Sequence, residues 1–186
     1  MRISQLTCIN VEHFEPHRGN LDLKYDWNNL FLACYHCNHT KSDDYFPLLN
    51  PLDSNDRVLE WIECRIHDFP KAEVEFVIHS PDSKTYHTAT LLNAVHKGTT
   101  ARKMMEAGNL CRLIQEETLE FEKLLSRYPK ADTETQRQLK EKIREKLAPE
   151  SRFTAFKIWI IKRNARMREE FADCLEWIND FYTKAC

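Results

Sequence analysis

A carboxylate next to a histidine, Glu12-His13, opens the stretch of this chain richest in chemistry, Val11 to Pro47. An Asn follows in an aromatic and apolar setting, Asp26-Trp27-Asn28-Asn29-Leu30. Cys34-x-x-Cys37 then runs into Asn38-His39-Thr40-Lys41. A neutral imidazole is a good general base near pH 7, because its ordinary pKa of about 6.5 lies close to that pH. Glu12 offers a carboxylate oxygen and Asn38 an amide oxygen, hard donors of the kind Mg²⁺ takes together with water and phosphate. Such a cation polarises a scissile phosphate and stabilises the leaving oxygen, while His13 deprotonates a water. On an extended strand Glu12 and His13 point to opposite faces, so one site holds both only where the strand bends or twists. Pro16 and Gly19, shortly after, permit a bend or a loop.

The order Glu-His-Phe-x-Pro, Asp-Trp-x-Asn-Leu and Ala-Cys-x-x-Cys-Asn-x-x-Lys resembles the HNH endonuclease family with its ββα-metal fold. More narrowly it resembles the PtuB-like HNH subunits of the Septu and retron anti-phage systems. The resemblance covers about the first quarter of the chain. It implies a strand, a loop, a second strand and a helix that closes over a metal. It also implies that His13 is the general base and that Asn29 braces the loop bearing it. Asn38 stands where the last H or N of the motif stands and, with Glu12, would hold a divalent cation such as Mg²⁺. Lys41, one helical turn further on, would face the same phosphate. The implied substrate is DNA, and the implied partner is a PtuA-like ATPase in a hetero-oligomeric complex. Related proteins carry an earlier Cys-x-x-Cys that completes a structural Zn²⁺ site with the later pair. Here Cys34 and Cys37 have the spacing, and Cys8, His36 and His39 are the remaining candidates for a four-ligand set.

The 186 residues suit one domain, or a small module with an extension, and can bury a core without disulfides. Seven scattered Cys, two in a metal-like pair, fit a reducing compartment better than a disulfide framework. No apolar run reaches the length of a bilayer span, and the start lacks the apolar core of a signal peptide. A soluble cytoplasmic protein is therefore expected. The net charge of −2 is unusual for a free-standing DNA binder, whose affinity comes from neutralising phosphates, and this favours a partner that captures the nucleic acid.

Leu6 to Val11 reads as a strand, Glu15 to Lys24 as loop, and the polar run from Asn38 as the start of a short helix capped by Asn or Ser. Val58 to Ile66 and Ala72 to Ile78 alternate and are joined by Asp68-Phe69-Pro70-Lys71, which predicts a hairpin, with helix as the rival over 58–66. A helix over Thr85 to His96 ends near Gly98. Thr99 or Thr100 caps a long one with the stripe Met104, Ala107, Cys111, Ile114, Thr118, Phe121, Leu125 and Tyr128. Thr133 to Leu147 reads as a charged, exposed helix and Phe153 to about Phe181 as a last long one. Arg152, Lys157, Lys162, Arg163, Arg166 and Arg168, with no acid among them, form a candidate basic stripe for a DNA backbone.

The fold class expected is α+β and mostly α: a small N-terminal ββα-metal module over residues 1–56, then a β-hairpin and a mainly helical partner-docking region over 57–186. The function expected is divalent-metal-dependent hydrolysis of DNA phosphodiester bonds. Two rivals stand beside it, a non-catalytic zinc-stabilised adaptor built on Cys34 and Cys37, and an RNA-directed nuclease on the same scaffold.

Overall fold

The computed structural model describes residues 9–68 and 70–184. Leu6, Cys8, Phe69 and Cys186 lie outside the described residues, and with them the start of the first expected strand and one candidate zinc ligand. The class is α+β and mostly helical, with two separate two-stranded antiparallel sheets among the described residues.

β1 (Ile9–His13) pairs with β2 (Leu30–Cys34), placing Val11 opposite Leu32 and His13 opposite Leu30. The connection is not all loop. It holds a one-turn helix, α1 (Leu21–Tyr25), and a 3₁₀ turn at Trp27–Asn29. Asn20 Oδ1 accepts from Asp22 N and Asp26 Oδ1 from Asn28 N, two local side-chain caps that punctuate the segment. α2 (Tyr35–Lys41) follows β2 without a break and starts earlier than expected. Its N-terminal cap is Cys34, whose sulfur accepts from Cys37 N, so Asn38 sits inside the helix and not at its cap.

Val58–Trp61 forms a single helical turn, α3, and only then does β3 (Ile62–His67) begin, paired with β4 (Glu73–Ile78). β4 alternates as expected over its first four residues, with Val74 and Phe76 buried and Glu73 and Glu75 exposed, but Ile78 at its end is exposed. β3 does not: Ile62, Glu63 and Cys64 are all buried, because α7 (Thr154–Lys162) packs along it. Glu63 is tolerated there by Arg65 at 2.6 Å and His79 at 2.9 Å, which hold its carboxyl below the usual range against the opposing effect of burial.

α4 (Ser83–Lys97) and α5 (Ala101–Arg127) meet at Gly98. Its φ of +73° suits glycine, and a Cβ there would lie 2.4 Å from Met104 N. Thr100 caps α5 as expected. Ala107, Cys111, Ile114, Thr118, Phe121 and Leu125 are buried, whereas Met104 is 59 % exposed and falls off the stripe. α6 (Thr133–Leu147) is not simply a solvated face, since Leu139, Ile143 and Leu147, four residues apart, enter the core. The last expected helix is three: α7, α8 (Ala165–Glu170) and α9 (Ala172–Lys184). Asn164 breaks it by accepting from Met167 N at 3.1 Å, a local bond that competes with continuing the helix.

One cluster of buried side chains joins β3 and β4 to α4, α5 and Phe156. A second joins Phe121 and Leu125 to α6, Ile158, Ile161 and Ile178. α7 lies between them, which is why its basic residues do not form a stripe. Lys157 is wholly buried against Ser151 Oγ at 2.7 Å, its ammonium pushed down to about 8 by that burial. Lys162 donates to Leu59 O.

Candidate functional site

Glu12, His13 and Asn38 line one pocket of about 210 Å³, together with Pro16, His17, Arg18, Ser42 and Asp43. The two strand neighbours reach the same space because His13 is the last residue of β1 and the chain turns away after it. Larger cavities exist, one of about 700 Å³ between α5, α6 and the turn before α7. The small pocket is the one where an imidazole, a carboxylate and an amide meet.

His13 Nε2 lies 3.0 Å from Lys24 O. A carbonyl only accepts, so Nε2 carries the hydrogen and Nδ1 of the neutral ring keeps its lone pair. Lys24 belongs to α1, so the small helix in the β1–β2 connection aims the imidazole. Asn29, 6 % exposed, ties the same connection together. Its Oδ1 accepts from Glu15 N at 2.7 Å, and its Nδ2 donates to Glu15 O at 2.9 Å and Leu23 O at 3.0 Å. It thus joins the residues just after His13 to those just before Lys24.

Glu12 lies on the face of β1 opposite His13, the face toward α2. Lys41, only 7 % exposed, donates from Nζ to Glu12 Oε1 at 2.5 Å and to His13 O at 2.8 Å. Glu12 Oε2 and the Asn38 side-chain amide make no hydrogen bond among the described residues. Two hard oxygens without partners at one pocket fit a divalent cation that completes its shell with water and phosphate. Among the described residues no group of three or more His, Cys, Asp or Glu side chains is placed to hold a metal ion.

Cys34 and Cys37 are free thiols with sulfurs 2.9 Å apart. The hydrogen bond with the Cys37 thiol holds Cys34 below the usual thiol range, and the same contact with burial drives Cys37 up. Of the other candidate zinc ligands, the two among the described residues do not join them. His36 turns to the helices, with Nδ1 2.9 Å from Glu106 Oε2 and Nε2 2.7 Å from Val95 O. His39 stacks on Tyr35 at 5.5 Å. Cys8 lies outside the described residues.

Sequence reasoning missed His17, whose ring lies 4.8 Å from that of His13, as well as Arg18 and Asp43 of the pocket wall, joined by Arg18 Nη2 donating to Asp43 O. A charged pair that meets through a backbone carbonyl leaves no spacing signal. The Lys24 carbonyl was equally invisible, since every residue has one.

No helix among the described residues is long and apolar enough to cross a membrane. No curated protein and no solved structure gives a significant match. Residues 2–44 match the family model for the HNH endonuclease, so Glu12, His13 and Asn38 stand in a segment similar to nucleases of the HNH type, which typically use divalent metals.

Proposed function

We propose that this chain is a divalent-metal-dependent endonuclease of the HNH type that hydrolyses DNA phosphodiester bonds, with residues 1–56 as nuclease module and 57–186 as the region that docks a partner. The observation that carries this reading is the shared pocket of Glu12, His13 and Asn38, inside a segment that matches the family. His13 Nδ1 accepts a proton from the attacking water, and Lys24 O stabilises the imidazolium that results through Nε2–H. Asn29 keeps the loop carrying this pair in place. Glu12 Oε2 and the Asn38 amide oxygen would hold the cation, whose chemistry when bound is to polarise the phosphate and stabilise the leaving oxygen. Lys41 fixes the Glu12 carboxylate and adds a positive charge behind it.

The finer part of the reading is that the nuclease acts with a PtuA-like ATPase in anti-phage defence. It rests on the resemblance of the motif residues and on charge. Residues 11–50 hold the acids Glu12, Glu15, Asp22, Asp26, Asp43 and Asp44 against the bases Arg18, Lys24 and Lys41. Such a surface attracts duplex DNA poorly, so capture falls to a partner. A plasmid-nicking assay with Mg²⁺, with and without the ATPase, tests the whole. His13→Ala is expected to lower nicking by about 10²- to 10⁴-fold with the fold intact. Equal cleavage by contaminant-free parent and variant would discard it.

A zinc-stabilised adaptor is favoured by one observation, the paired thiols of Cys34 and Cys37. Zinc content with no Mg²⁺-dependent cutting would select it. An RNA substrate run in parallel decides the sugar, since phosphate and metal chemistry do not read it.

A further inference from the structure

Three large apolar side chains stand in solvent on the segment whose Lys24 carbonyl holds the imidazole: Leu21 at 63 %, Tyr25 at 71 % and Trp27 at 84 % exposure. Exposed singly, such residues need no account; three within seven positions, on the segment that holds the proposed base, do. They are not on a loose loop. The segment is held by Asn20 Oδ1 to Asp22 N, Asp26 Oδ1 to Asn28 N, Asn29 Nδ2 to Leu23 O and His13 to Lys24 O, each at 2.9 to 3.0 Å. The aromatic-bearing turn and the proposed base are therefore one rigid unit. On the outer face of the hairpin, the face His13 shares, Val11 and Leu32 pair directly and are 60 % and 61 % exposed. Arg18 of the pocket wall and Lys24, whose ammonium lies 5.5 Å from the centroid of the Tyr25 ring, are the cations beside these apolar groups.

We infer that Tyr25 and Trp27 form a stacking platform for an unpaired base, so that the proposed nuclease engages single-stranded or locally unpaired DNA next to the phosphate it cuts. The inference rests on the nuclease reading and deepens it. With Glu12 and Asp43 against Arg18 in the pocket lining, and six acids against three bases over residues 11–50, phosphate neutralisation supplies little of the local affinity. Stacking can supply it, because every base has a π-face and the contact carries no charge. A base inside a duplex has its faces covered by neighbours, so the platform selects strands that are open. The same physics gives a shallow salt dependence, unlike that of a cationic groove.

The test is binding of a labelled single strand and of its duplex, in Mg²⁺, on the His13→Ala background so that nothing is cut. The single strand is expected to bind more tightly than the duplex, with little change on raising salt. Adding Trp27→Ala or Tyr25→Ala is expected to weaken single-strand binding about tenfold each, with Trp27→Phe retaining most of it. Tyr86→Ala, an exposed aromatic on α4, serves as the control expected to bind like its parent. Unchanged or absent single-strand binding overturns the platform. So does a loss shared equally by the duplex, or one confined to association with the ATPase. Nicking by the parent is read separately. A protein that binds through Trp27 but cuts nothing loses the nuclease reading and keeps the platform. One that cuts, yet binds single strands equally without Trp27, does the reverse.

Discussion

Asn29 gives the sharpest test of how the site is held, because its two ends do different work. The carboxamide accepts one hydrogen bond, from Glu15 N, and donates two, to Glu15 O and Leu23 O. Asn29→Ala removes all three, and at about 1 kcal/mol net apiece the loss is about 3 kcal/mol. Asn29→Asp keeps the shape and the acceptor but sets a carboxylate oxygen against two carbonyl oxygens at the former 2.9 and 3.0 Å, almost out of water. An uncompensated buried charge costs about 4 kcal/mol or more, so the conservative change is the worse one at neutral pH. Its pH dependence has a definite sign. Burial and the two carbonyls raise the introduced carboxyl above its unfolded value of about 3.9, so the native state binds the proton more readily. The aspartate variant is then least impaired below that value and loses stability as pH rises through the raised native pKa. Urea unfolding of both variants across this range, at constant slope, measures the gap. An aspartate variant as stable as the alanine one at pH 8, or a gap that does not widen with pH, refutes the assigned hydrogen-bond directions. If Asn29 acts by positioning, nicking by both variants falls while Mg²⁺ dependence stays as in the parent.

Lys41→Met leaves Glu12, 15 % exposed, without its cation and is expected to cost about 3 kcal/mol, most of it recovered by adding Glu12→Gln; a double-mutant cycle in urea reads the coupling. Burial pushes the His96 ring down to about 4. The unfolded ring takes its proton near 6.5 and the native ring only near 4, so stability is fully present above pH 6.5 and falls on acidification through that window, by at most about 3 kcal/mol. His96→Phe, set between Phe76 and Phe156, is expected to flatten that part of the stability–pH curve. Ile143→Ala, at a wholly buried position on α6, is expected to cost about 3 kcal/mol, and Lys142→Ala next to it less than about 0.5, both read as shifts in the urea midpoint.

Strong local patterns were legible in the sequence and patterns shaped by neighbours were not. The α5 stripe from Ala107 to Leu125 reads directly, since one face of a long helix meets one core. The Glu73–Phe76 alternation reads for the same reason. β3 does not, because α7 covers what would have been its solvent face, and nothing in residues 62–64 announces a helix a hundred positions away. The basic run reads only in part: Lys157 counts as a surface cation until Ser151 and the core enclose it, while Arg163, Arg166 and Arg168 stay exposed. α6 reads as exposed when charges are counted, yet three apolar residues at a spacing of four suffice to bury one stripe. In the site, Glu12, His13, Asn29 and Asn38 were nameable because their types are chemically marked and their order resembles a family. The carbonyl of Lys24 and the ring of His17 come to His13 only through the fold of the β1–β2 connection.

The direction in which each residue of α2 points explains why a nuclease-like segment this small comes with so many helices. Successive positions on a helix turn by about 100°, so Asn38 and Lys41 fall within about 60° of each other, and His36 lies about 140° or more from both. One face of α2 therefore carries the amide of the pocket and the cation that holds Glu12, while His36 on the far side is fixed between Glu106 of α5 and the Val95 carbonyl of α4. Two strands and one seven-residue helix cannot bury enough surface to set such distances themselves. The long helices, which bring no pocket residue, fix α2 against β1 from behind. Further anchors are the Leu49 N to Thr88 hydroxyl bond and the Asp56–Lys84 pair. A shift of α4 or of the start of α5 would therefore act on the separation of Asn38 from Glu12 through His36.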